Sequence, residues 1–133
     1  MRVYYQFGNY NFATSEIFWV TGPKNRKGRV VDYGIHHVTV AFTATTSEGS
    51  VSVGSAGSAV AFGAALGLGT TAIDAGSVSV QQFYDQPADI NLKIVAAGLN
   101  MPANAKVGLH CNAPTGGTPA GTAQPFMIIE WAD

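Results

Sequence analysis

The sequence predicts an all-β fold, a sandwich or barrel of about eight or nine short strands. Three observations carry that expectation. Apolar residues recur with period two in segment after segment, and few stretches sustain a 3.6 period. β-Branched and aromatic residues fill those segments, and such side chains suit a pleated, half-buried surface. Turn signals separate them at fairly regular spacing: "TGPKNRKG", "TSEG", "SAGS", "DQPAD", "NMPAN" and "APTGGTPAG".

The elements follow in order. "EIFWV" places Ile17 and Trp19 on one face and Phe18 and Val20 on the other. "RVVDYGIHHVTVAFTATT" is the longest strand signal. Val31, Tyr33 and Ile35 share one parity there, and Val38, Val40 and Phe42 share the opposite one. The switch falls at His36-His37, as a β-bulge would produce. "SVSVG" alternates through Val51 and Val53. "AVAFGAALGLG" alternates through Val60, Phe62, Ala64, Leu66 and Leu68, although its alanines also suit a short helix. "SVSVQQF" alternates through Val78, Val80 and, less cleanly, Phe83, and "INLKIVA" through Ile90, Leu92 and Ile94. "KVGLHC" turns Val107, Leu109 and Cys111 inward. "QPFMIIEWAD" is apolar on both parities until Glu130, as expected of a strand covered on both sides or lying at an interface.

A chain of 133 residues is the size of one domain, so residues 1–133 are read as a single unit with an extended segment at 1–12. The one cysteine, Cys111, allows no intrachain disulfide and no cysteine metal cluster, and suits a reducing compartment. No run of about 18 apolar residues appears, and "MRVYYQFGNYNF" lacks the apolar core of a signal peptide, so no membrane association is expected. Charged residues make up only 11%, against roughly 25% in ordinary soluble domains. A net charge of -1 offers no field for nucleic acid or an anionic membrane. Such a weakly charged surface suits a chain packed against copies of itself or against a partner better than a solitary monomer.

The motifs carry little chemistry. In the glycine-rich loop, Gly121 is followed by Thr122, Ala123, Gln124 and Pro125 and then a strand. A phosphate loop needs lysine and Ser or Thr opening a helix at that point, so the glycines are read as allowing positive φ and the prolines as stiffening the loop. "KNRKGR" holds four of the seven basic residues. It reads as a solvated turn, with docking to an acidic patch as the alternative. His36, His37 and His110 are expected to be hydrogen-bonded. A metal site of Asp32, His36 and His110 has no recognised ligand spacing, and no cofactor is expected. Cys111 reads as a small core residue, and the carboxylates are scattered, so the chain is not read as an enzyme. The aromatics Tyr4, Tyr5, Tyr10, Tyr33, Tyr84, Trp19 and Trp131 leave a second reading, a glycan-binding β-sandwich module. That reading requires several of them exposed on one face.

Several pieces in register resemble one family. They are "YYQFGNYNF", "KGRVVDYGIHHVTVAF" and "SVSVGSAGSAVAFGAALGLG". The near-literal piece is "MPANAKVGLHCNAPTGGTPAGTAQPFMIIEW": a Pro-Ala turn, a strand, an "AP-T-GG-TPAG" loop and a last strand ending in an acidic residue and an aromatic. In these features the sequence is similar to the small β-sandwich decoration (cement) proteins of tailed-bacteriophage heads. The pair His36-His37 and the stretch "SVSVQQFYDQ" depart from the pattern.

The resemblance implies a single jelly-roll-like antiparallel β-sandwich of about eight or nine short strands. It implies a structural virion protein made in the host cytoplasm and carried on the capsid exterior. Its partner would be the major capsid protein, with self-association as a homotrimer, and without nucleic acid, membrane or cofactor. On that reading the candidate subunit and capsid contacts lie in three places. They are the N-terminal segment (Arg2, Tyr4, Tyr5, Phe7, Tyr10, Phe12), the basic turn (Lys24, Arg26, Lys27, Arg29) and the 112–122 loop (Pro114, Thr115, Gly116, Gly117, Thr118, Pro119).

Overall fold

The computed structural model describes residues 1–68 and 94–133. Over these residues the chain is an all-β sandwich of two antiparallel four-stranded sheets, as the alternation predicts. The strands are β1 (Arg2–Gln6), β2 (Tyr10–Asn11), β3 (Glu16–Val20), β4 (Gly28–Thr43), β5 (Ser50–Gly54), β6 (Gly63–Gly67), β7 (Val107–Asn112) and β8 (Ala120–Trp131). A single helical turn, α1 (Ala96–Leu99), precedes β7. The second sheet runs β3-β7-β5-β6. In the first, β4 pairs with β8 over nearly its whole length, so β1 and β2 share the other side of β8.

Between the sheets lies one apolar core. β7 contributes Val107, Leu109 and Cys111, and β5 contributes Val51 and Val53, all on the predicted parity. Across from them lie Tyr33, Ile35, Met127 and Ile129. On β3, Phe18 and Val20 pack against the core while Ile17 and Trp19 face out.

The bulge expected at His36-His37 is present. Four steps along β4, from His36 to Val40, match two along β8, from Gln124 to Thr122, and His37 sits at φ 51°. The slip turns Val38 inward with Ile35 although they differ in parity. Two further slips were not read from the sequence. One at Val31 makes Val30, not Val31, the buried partner, and one before Thr43 leaves Val40 exposed.

Two expected strands need correction. In "AVAFGAALGLG" the strand covers only Gly63–Gly67, and Val60 lies exposed in the preceding turn. "SVSVQQF" and most of "INLKIVA" lie outside the described residues. The described end of the latter makes one bridge, Ile94 to Gly63, and then enters α1. Gly98 in α1 lies against the Phe62 carbonyl, where a Cβ would collide.

The segment 1–12 is not an extension but part of the first sheet. Phe12 is fully buried, edge-on to Phe42 and Tyr10, and Phe7 stacks on Phe18 of the other sheet at 4.9 Å. At the far end Trp131 is buried. Its indole donates to the Tyr5 hydroxyl at 2.9 Å and lies against the bare Cα atoms of Gly22 and Gly28. A Cβ on Gly28 would stand 2.6 Å from the ring, so glycine there is a packing requirement. We expect Trp131→Ala to lower stability by about 3–5 kcal/mol in urea denaturation. A loss under about 1 kcal/mol would show that the ring does not hold these segments together.

Candidate functional site

The glycine-rich loop leaves β7 in one sheet and enters β8 in the other. The 44–49 segment makes the same crossing from β4 to β5, and the two are strapped together. Thr115 and Ser47 exchange backbone hydrogen bonds at 3.0 and 3.2 Å, Thr46 N–H donates to the Thr115 carbonyl and Thr45 N–H to that of Gly116. The Ser47 and Thr115 hydroxyls meet at 2.5 Å. Gly116, at φ 92°, lies so close to Thr46 that a Cβ would overlap its hydroxyl. Gly116 thus serves the close approach of the loop to Thr45 and Thr46, and Pro114 is buried. Thr115, Gly117 and Thr118 remain exposed as surface.

The N-terminal candidates divide by the side of the sheet they occupy. Tyr10 and Phe12 are committed to the core, which corrects their placing as contacts with another subunit. Tyr5 and Phe7 are half-buried, on Trp131 and Phe18. Arg2 and Tyr4 face out. Arg2 and Arg29, from β1 and β4, both bind Glu130 of β8, at 2.9 and 3.1 Å. Hydrogen bonds from Arg29 and then Arg2 hold the Glu130 carboxyl below its ordinary pKa.

Lys24, Arg26 and Lys27 extend from a turn that the sequence alone did not pair with anything. "Pro23-Lys24-Asn25-Arg26" and "Pro102-Ala103-Asn104-Ala105" form the same turn. In each, the proline carbonyl accepts from the N–H three residues on, at 3.3 Å, and the asparagine has positive φ, 61° and 63°. The two asparagines clasp each other. Asn25 N–H donates to Asn104 Oδ1 at 2.8 Å, and Asn104 Nδ2 donates to Asn25 Oδ1 at 2.9 Å. The repeated Pro-x-Asn was the legible signal.

The chemistry-bearing residues do not converge. His36 projects from the first sheet, bonded through Nε2 to the Tyr4 hydroxyl at 3.1 Å and through Nδ1 to His37 Nδ1 at 2.6 Å. His110 lies on the outer side of the second sheet, edge-on to Trp19, and its neighbour Cys111 points into the core. Burial pushes the Cys111 thiol far above its usual pKa. Among the described residues no three His, Cys, Asp or Glu side chains gather to hold a metal. The aromatics are likewise divided: Trp19 is on one outer face, Tyr4 is on the other, and Tyr33 and Trp131 are buried. Tyr84 lies outside the described residues.

No protein-family model, curated protein or solved structure matches this chain.

We expect Gly116→Ala to cost about 1–3 kcal/mol in thermal or urea unfolding, since it combines a left-handed backbone with a blocked Cβ. An unchanged midpoint would show that the strap bears no strain.

Burial lowers the pKa of both His36, where His37 adds to the effect, and His110, where the Ser55 backbone opposes it. The folded chain therefore refuses protons that the unfolded chain accepts below its histidine pKa of about 6.5. Stability is complete above that pH and falls as the pH drops below it. Melting temperature should decline from about pH 7 to about pH 5.5, less steeply in His36→Gln/His110→Gln. Parallel profiles for the two proteins would contradict this assignment.

Proposed function

We propose that this chain is a structural virion protein that binds the outside of an assembled tailed-phage capsid and reinforces the major capsid protein lattice, acting as a homotrimer. The observation that carries the reading is the run Met101–Trp131, which resembles the decoration family nearly literally. In the fold this run supplies β7, the strap and β8, so the resemblance falls on the framework of the sandwich. The low charge content supports the same reading. Exposed apolar side chains on both sheets, Ile17 and Trp19 on one and Tyr4 and Val40 on the other, offer area for neighbouring subunits. Among the described residues no observation favours the glycan-binding alternative, because the exposed aromatics there are divided between the two outer faces.

The mechanism is mass action. A subunit that binds only the assembled lattice stabilises it by its binding free energy. Apolar burial supplies much of that, and repetition across the shell multiplies a modest contact through avidity. Capsids of the phage encoding this chain should melt at a higher temperature with saturating protein, and isolated capsid monomers should not bind it. Equal melting temperatures with and without the protein would rule the reading out. The mass of the free protein in solution tests the trimer.

A further inference from the structure

We infer that the clasped Pro-x-Asn turns form a preorganised cationic platform that docks a carboxylate-bearing segment of a protein partner. The platform is built on Lys24 from one turn and Lys106, which follows the other, with Arg26 and Lys27 close to Lys24 in the chain. All four are exposed, and none is ion-paired with a carboxylate among the described residues. Arg2 and Arg29 differ from these four, since both are paired with Glu130. Two of the four, Lys24 and Lys106, line one groove.

The backbone beneath them is fixed in advance. Each turn closes its own hydrogen bond, and the reciprocal Asn25–Asn104 bonds lock the two turns in register. Less ordering entropy is then lost when a partner binds. Lys106 is held further, with its ammonium 4.3 Å above the Trp19 ring. Between the turns runs an open groove of about 450 Å³, lined by Lys24 and Lys106 together with Val20 and Ala105. Ammonium groups beside aliphatic side chains match the carboxylates and methylenes of Glu or Asp on a protein.

Nucleic acid fits less well. Its single strands need a free aromatic face for stacking, and Lys106 already covers Trp19. Four cations release few counterions on a duplex. The identity of the partner, the capsid shell, rests on the proposal above. The platform and its acidic preference do not.

Two assays separate these claims. In the first, a labelled oligoglutamate peptide and a labelled oligothymidylate of equal charge are titrated with the protein and followed by fluorescence anisotropy. We expect the peptide to bind more tightly, to weaken about tenfold between low salt and about 0.3 M NaCl, and to lose about tenfold with K24E/K106E. The milder K24Q/K106Q, expected to lose at least severalfold, replaces that variant if charge reversal prevents folding. No peptide binding, binding unchanged in K24Q/K106Q, or tighter binding to the oligonucleotide would each overturn the platform. In the second assay, wild type and K24Q/K106Q are titrated onto capsids. Weaker binding by the variant places the acidic acceptor on the shell. Equal binding overturns that placement and leaves the decoration reading intact. Peptide binding without capsid binding overturns the decoration reading and leaves the platform standing.

Discussion

The structure depends on one constraint, that β8 carries apolar side chains on both parities and must be covered on both faces. Met127, Ile129 and Trp131 enter the core between the sheets. Phe126 points the other way and is still buried. Tyr4 stacks parallel to it at 5.5 Å, and His36 meets it edge-on at the same distance. Tyr4 comes from β1 and His36 from β4, so the outer cover requires both neighbours of β8. The bulge at His37 is part of the same solution. It allows β4 to present His36 outward over Phe126 and then return Val38 to the core within two residues.

The loops solve a second problem, which is holding two sheets in register. The segments after β4 and after β7 both cross from one sheet to the other, and the Ser47–Thr115 strap ties the crossings together. Elsewhere, the paired turns at Asn25 and Asn104 link the segment before β4 to the segment before β7. Both devices are mainly backbone and amide hydrogen bonds. They leave other side chains of these loops, among them Lys24, Arg26 and Thr118, exposed at the surface, which suits a chain proposed to work through contacts.

Much of this architecture was legible in the alternation. The inward set of β7, the two valines of β5, the faces of β3 and the His36-His37 bulge all follow from parity. The bulge at Val31 was not legible, because Val30 and Val31 are both valine and either could face inward. The N-terminal segment was misread because Tyr10 and Phe12 flank an asparagine beside a glycine turn, which resembles a loose extension. Only pairing with β8 shows that they are core. The strap was hidden for a different reason. Serine and threonine at 45–47 and 115 carry no pairing code, and residues some 70 positions apart meet only after the sheets have formed. The candidate site was partly legible: the basic turn stood out by composition, whereas Lys106 joined it only through the fold.

The pairing of β1 with β8 joins Arg2 to Glu130, so β1 is completed by a strand 128 positions further along the chain. During synthesis β1 leaves the ribosome without its hydrogen-bonding partner and waits until β8 has been made. Non-local pairing of this kind slows folding and exposes strand edges meanwhile. The alternating half-polar character of β1, with Arg2, Tyr4 and Gln6 on the outward side, keeps that waiting edge from being a wholly apolar one.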